Sequence, residues 1–345
     1  MSLLSGVSDF FGLDLGTTQV RVVELRGGGP IKQLVRYAYA PIDSKTAMSD
    51  AAADQQKLVQ VIRDLLAQAH ISTHNVAVGL SSSKVFTTVF DMEHLSPGEM
   101  AKTIRYQADS LIPTPLAESK LDWAVLGDSP KDQTKSEVLL TSVPNDYVEK
   151  RLDMLESIGL NVIAFEPDNL ALARALTAPD ATTPQMVIDL GYKTTDIVIM
   201  MNGAPRLTRA ITTGSEALIR SAVQSLGVDE KQAEQFIFKF GLSKEKLEGQ
   251  VYNAIIGSTD IIMTEVEKSI KFFNTRYNQK LERIIVTGGA ATMPEFPLHL
   301  ANKFGVNVEI GNAWRNVSYS QDRQNELLAI SNSFGVAAGL AGRQE

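Results

Sequence analysis

Apolar positions in this chain fall in short runs broken by glycine, proline and polar turns, and their period switches repeatedly between strand-like and helix-like. The stretch FFGLDLGTTQVRVVEL (Phe10–Leu25) opens as an apolar strand, stops at Asp14 and Gly16, and resumes over Val20–Arg26. A further strand is predicted over Ile31–Ala40, joined by Gly27–Pro30. Those glycines lack the G-x-G-x-x-G spacing and the following helix of a dinucleotide loop, so they read as a hairpin turn. In DQQKLVQVIRDLLAQAH, Leu58, Ile62, Leu65, Leu66 and Ala69 share one helical face. Asn75–Leu80 is a short continuous apolar run, as in a buried strand. These elements make a first unit over residues 1–81.

Residues 82–167 have a different rhythm. A strand (KVFTTVFDM) precedes a helix (SPGEMAKTIRYQADSLI) that Ser96, Pro97 and Glu99 mark as a strong start. Two strands, SKLDWAVLG and SEVLLTSVP, flank the polar loop DSPKDQTK. A helix stopped by Gly159 and the strand LNVIAFEP complete a β-α-β-β-α-β order, the ferredoxin-like pattern, so an inserted subdomain is expected. Residues 168–185 then supply a helix (DNLALARAL) and a Pro/Thr-rich joint. The rest, 186–345, reads as a second half, with a smaller insertion over about 216–260 and a C-terminal helix over about 332–342.

The second half opens on a repeat of the first motif. In MVIDLGYKTTDIVIM, Asp189-Leu190-Gly191 lies on Asp14-Leu15-Gly16. Each copy offers one acid and a turn rich in N–H and hydroxyl donors, the groups that a chelated phosphate requires. Gly214 precedes another helix, and RIIVTGGAATMPEF carries Gly288, Gly289 and Ala290 after a buried strand, where backbone can approach a flat or phosphorylated ligand.

Composition narrows the field. A net charge of −7 with no Lys/Arg cluster argues against nucleic-acid binding. The absence of cysteine removes disulfides, thiolate metal sites and thiol nucleophiles. His70 and His74 are spaced i, i+4 but sit at a helix end, so no metal site is read from them. No apolar run is long enough to cross a bilayer, and the opening MSLLSGVSDF lacks signal-peptide character, so a cytoplasmic protein is expected, meeting membrane only through a partner.

The two DLG segments and TGGAA, in this order over nearly the whole chain, resemble the two phosphate motifs and the adenosine motif of the actin-like ATPase superfamily. That resemblance implies an α/β actin-like ATPase fold of two related halves around a nucleotide cleft. The insertion, with IRYQADSLIPTPLAESKLDWAVLG and FEPDNLALARAL, resembles that of the type IV pilus assembly protein PilM family, relatives of FtsA. The resemblance implies ATP and Mg2+ as cofactors, with Asp14 and Asp189 holding the metal. Gly16, Thr17, Thr18, Gly191, Tyr192, Lys193 and Thr194 would face the phosphates, and Gly214, Gly288, Gly289 and Ala290 the nucleotide. Glu265 and Lys268 are candidates for the ribose or base, against the plainer reading of an exposed i, i+3 pair. Glu166 lies where some relatives orient an attacking water. Tyr192 and Lys193 stand where many members carry small residues, which implies a restricted phosphate turn and, at most, slow hydrolysis.

The implied function is an ATP-binding scaffold of type IV pilus, or related type II secretion, assembly. Its implied partner is the N-terminal cytoplasmic peptide of a PilN-like inner-membrane protein, in a groove between the first subdomain and the insertion. Pilus motor ATPases are further candidate partners. The alternatives are an FtsA-like filament protein and a small-molecule kinase. The tail SFGVAAGLAGRQE lacks the basic amphipathic face of a membrane-binding FtsA helix.

Overall fold

The computed structural model describes residues 9–344; most of the opening segment read for a signal peptide lies outside them. In chain order the first half contains β1 (Phe11–Leu15), β2 (Gln19–Arg26), β3 (Lys32–Pro41), α1 (Ser44–Met48), α2 (Ala52–Gln68) and β4 (Asn75–Leu80). Next come β5 (Phe86–Glu93), α3 (Pro97–Leu111), β6 (Ser119–Asp128), β7 (Lys135–Pro144), α4 (Asn145–Glu156), β8 (Asn161–Pro167) and α5 (Asp168–Leu176). The second half contains β9 (Gln185–Leu190), β10 (Thr195–Met201), β11 (Ala204–Ile211), α6 (Ser215–Leu226), α7 (Glu230–Phe240), α8 (Gln250–Tyr277), β12 (Arg283–Thr287), α9 (Phe296–Phe304) and β13 (Asn307–Ile310). The chain closes with β14 (Val317–Ser318), α10 (Gln324–Ile330) and α11 (Gly335–Ala341).

The duplication expected from the DLG repeat is visible in the sheets. One runs β14-β3-β2-β1-β4-β8, the other β11-β10-β9-β12-β13. In each, an antiparallel three-strand meander is extended by two parallel strands on the side of its first strand. Gly27–Pro30 connects an antiparallel pair, as a hairpin turn must. At α3, Glu99 accepts from the Ser96 amide at 3.2 Å, which closes the capping box that the sequence announces.

Two assignments change. The six elements of the insertion occur in the expected order, but only β5, β7 and β6 form its sheet. β8 pairs parallel with β4 in the first-half sheet instead. Met154, Leu155 and Leu160 accordingly pack with Leu58, Ile62 and Leu65 of α2, in the first-half core. The insertion proper is therefore β-α-β-β, without the fourth strand of a ferredoxin-like sheet.

The second correction concerns the C-terminal part of the expected second half. β14 joins the edge of the first-half sheet beside β3. Trp314, Leu327 and Phe334 are buried against Val23, Leu25 and Leu34 of that sheet. α11 and α5 then fill the space between the two sheets: Leu172, Leu176 and Leu340 pack with Ala77 on one side and Val187, Val198 and Ile285 on the other. α11 is buried along its whole length, so its sequence, GVAAGLA, is small throughout. A side chain at Gly339 would strike the Ala171 carbonyl of α5, so the two helices touch backbone to backbone.

Candidate functional site

β1 and β9 are the first strands of equivalent hairpins, and each delivers its aspartate near the end of the strand, just before the turn. Asp14 is 5% exposed, and its Oδ2 accepts from Arg21 Nη1 at 3.0 Å across the β1–β2 pair. Asp189, predicted from the repeat, lies near enough to Asp14 to feel its charge. Two acids that the sequence alone did not single out join them: Asp168 at the start of α5, and Asp196 on β10. The site is thus four carboxylates drawn from both halves, with Arg21 beside one of them.

Crowding of this kind disfavours ionisation. Burial raises the Asp14 pKa, against the pull of Arg21. Burial, then repulsion from Asp14, pushes Asp189 up to about 6. Burial, then repulsion from Asp189, pushes Asp196 up to about 8, against a smaller opposing pull from the Ser82 hydroxyl. Asp168 is raised well above the carboxylate range by burial and by repulsion from Asp14, Asp196 and Asp189. Asp168 Oδ1 and Asp196 Oδ1 are buried with no hydrogen-bond partner among the described residues. Buried oxygens of this sort suit a hard cation or its water shell, so the donor set fits Mg2+. Among the described residues no three acidic or histidine side chains converge into a metal cage. A metal here would therefore take much of its coordination from water and ligand oxygens, as Mg2+ commonly does.

The remaining predicted residues divide into those beside the acids and those drawn elsewhere. Gly16, Thr17 and Thr18 form the partly exposed turn after β1, and Gly191 to Thr194 the equivalent turn after β9. That second turn is fixed from behind: the amides of Ser215 and Glu216 donate at 2.9 Å to the carbonyls of Gly191 and Tyr192. Gly214, which caps α6, thus supports the turn. Tyr192 packs on the second-half core. Lys193 is tied to Glu216 on α6. Its charge is therefore partly spent within the second half.

Gly288 follows β12 with φ +91°, and a Cβ there would strike the Asp189 carboxylate and the Leu190 carbonyl. Its amide donates at 3.0 Å to the Asn332 carbonyl, which ties the adenosine-motif turn to the segment before α11. Gly289 is open, and a Cβ there would meet nothing within 4 Å, whereas Ala290 turns into the second-half core. Glu265 Oε1 accepts from Lys268 at 2.6 Å and its Oε2 from Arg209 at 2.7 Å, so a ligand would meet an ion-pair network there and not a lone carboxylate.

Glu166 requires correction. It is 6% exposed and is gripped by Arg174 through both carboxylate oxygens and by Arg343 at 3.2 Å. Its carboxylate is thus committed to two arginines and is not free to orient a water. Asp168, just past the end of the same strand, is the acid that faces them.

A separate groove of about 300 Å3 runs between the insertion and the first half. Leu121, Trp123 and Thr141 line one wall, and Leu80, Phe165 and Leu170 the other. Trp123 packs only partly into the insertion core and so serves both. Among the described residues no helix is long and apolar enough to cross a membrane.

Comparison with solved structures places the fold. The chain is 25% identical to a chain of the PilM-PilN type IV pilus biogenesis complex, with a TM-score of 0.83 over 98% of this chain and 99% of that one. Ethanolamine utilization protein EutJ from Carboxydothermus hydrogenoformans is 18% identical (TM-score 0.57, 96% of this chain and 88% of that one). MreB 5 of Spiroplasma citri bound to AMPPNP is 12% identical (TM-score 0.54, 96% and 95%). The fold is that of the actin-like ATPases, as the paired DLG motifs imply. The family model of the type IV pilus assembly protein PilM matches residues 12–345, and this chain therefore belongs to the PilM family.

Proposed function

We propose that this protein is an ATP-holding scaffold of type IV pilus assembly that binds Mg·ATP between its halves and docks the cytoplasmic N-terminal peptide of a PilN-like inner-membrane protein. The observation that carries the nucleotide half of this reading is the cluster of Asp14, Asp168, Asp189 and Asp196, contributed by both halves and left with unpartnered buried oxygens among the described residues. A hydrated Mg2+ would supply the positive charge that such a cluster lacks, with its waters and the nucleotide phosphates completing the coordination. Asp14 and Asp189 would hold the hydrated metal, while the turns after β1 and β9 would donate amides and hydroxyls to the phosphates. A ligand that touches both halves would favour the arrangement that it binds more tightly.

Turnover is expected to be slow. Lys193 is engaged by Glu216 and Glu166 by two arginines, which leaves Asp168 as the acid available to orient a water. The partner half of the reading rests on family membership, the PilM-PilN likeness and the apolar groove beside Trp123.

The test is calorimetric titration of Mg·ATP into the protein and into Asp14→Ala, with phosphate release followed on the same samples. Tight binding that the substitution abolishes, with little release, supports the scaffold. Equal binding by both proteins would remove the metal role of Asp14 and with it the clamp.

A further inference from the structure

A cavity of about 530 Å3 forms where the parts of the chain meet, and none of the four aspartates lines it. Lys32 of β3, Leu139 of the insertion, Arg174 of α5, Met200 and Pro205 of the second half, and Arg343 after α11 contribute walls. Among the described residues its charge is lopsided: three cations, Lys32, Arg174 and Arg343, face one carboxylate, that of Glu166. Arg174 Nη1 and Arg343 Nη1 share Glu166 Oε2, at 3.0 and 3.2 Å. Lys32 makes no ion pair among the described residues and donates only to the carbonyls of Arg343 at 2.8 Å and Ala341 at 3.3 Å. Arg343 Nε is buried and unpartnered among the described residues. Burial and the neighbouring Arg174 charge lower the Lys32 pKa, so the positive charge here is not relieved.

We infer that this cavity binds a small organic anion, a carboxylate or phosphate on an apolar body, held between Lys32 and Arg343. Charge-assisted hydrogen bonds from an ammonium and a guanidinium are strong where water is excluded, and the unused donors supply them. The apolar walls would take the body of the ligand, and the volume lies within the range of small-molecule pockets. Because the walls come from both halves, an occupant favours the arrangement that forms the cavity.

The experiment is calorimetry on the full chain with phenyl phosphate, phenylacetate and neutral benzyl alcohol, each with and without saturating Mg·ATP. Saturable binding of either anion, undiminished by Mg·ATP and absent for the alcohol, is expected. Binding of phenyl phosphate alone identifies a phosphate ester, and of phenylacetate alone a carboxylate. Lys32→Met should weaken binding about tenfold or more, from loss of a charge-assisted bond. Glu166→Gln should tighten it, because the competing carboxylate charge is gone; mere damage to the fold would act the other way. Failure of both anions to bind, their displacement by Mg·ATP, or equal affinity in Lys32→Met would overturn the assignment. Apart from the Mg·ATP competition, none of these outcomes depends on whether the aspartate cluster holds nucleotide.

Discussion

Asp196 faces Asp189 across β9 and β10 at the register where Arg21 faces Asp14 across β1 and β2. The hairpins are repeats of one another, yet the sign of the second residue is reversed. In the first, Arg21 neutralises the acid at 3.0 Å. In the second, two carboxylates oppose each other, an unfavourable cross-strand pair that a cation or a proton must relieve.

The pH dependence of stability follows from this pair. Asp189 and Asp196 have folded-state pKa values raised to about 6 and about 8, above those of the unfolded chain. The folded state therefore holds more protons between about pH 4 and 8, and stability falls as pH rises through that window. Thermal unfolding of the ligand-free protein should show a lower Tm at pH 8 than at pH 5. Asp196→Asn should flatten that profile and stabilise the protein at pH 8 by about 1–3 kcal/mol, since it removes one like charge. A wild-type profile that rises across the same interval would contradict the assignment.

Gly288 is the backbone point on which the adenosine-motif turn depends. An alanine there must adopt φ +91° and push against the Leu190 carbonyl, which belongs to β9 and cannot swing away. Gly288→Ala should cost about 2–4 kcal/mol in chemical denaturation. It should also displace Asp189, so Mg·ATP binding is expected to fail even at temperatures where the variant remains folded. Gly289→Ala, which meets nothing, is the matched control and should unfold like wild type.

Glu137 joins the insertion to the second half. It is 1% exposed on β7 and is bound by Arg206 of β11, by Arg276 at 2.9 Å and by the Tyr277 hydroxyl at 2.6 Å. Arg276 also reaches Asp91 of β5 at 2.7 Å. Glu137→Ala leaves two guanidinium groups without their main carboxylate and should cost about 3–5 kcal/mol. Hydrogen exchange should quicken in both β7 and β11, which distinguishes loss of the junction from damage to the insertion alone. A double-mutant cycle with Arg206→Met should recover part of the loss, because the second change removes one of the stranded charges.

The halves were legible because each hairpin is a local unit: the DLG segments and their alternating continuations specify strand, turn and strand without help from elsewhere. Asp196 was legible too in principle, since Asp189 and Asp196 become cross-strand partners once the hairpin register is drawn. The fate of β8 was not, because LNVIAFEP has the same alternation whichever sheet it joins; Leu160 and Phe165 settle it by packing on the first-half core. Glu166 and Asp168 look alike as strand-end acids. Only the arrival of Arg174 and Arg343, one a helix turn or two ahead and the other at the far end of the sequence, separates a pinned carboxylate from the one facing the cluster. The return of Trp314 and α11 to the first half is likewise a tertiary choice with no local signal.

Trp123 offers a way to separate the two proposed binding events. Its ring rests partly on the insertion core and partly on the groove against Leu80, Phe165 and Leu170, which none of the four aspartates lines. Aromatic side chains in such half-covered positions commonly dominate the affinity of a docked peptide. Trp123→Ala should weaken binding of a synthetic peptide copying the cytoplasmic N-terminus of the cognate PilN-like protein by about tenfold or more, read by fluorescence anisotropy. The same variant should bind Mg·ATP as wild type does, because no part of the aspartate cluster touches the groove. Peptide binding unchanged in Trp123→Ala would move the docking site off this groove, while loss of both ligands together would show that the groove and the cleft are coupled through the first half.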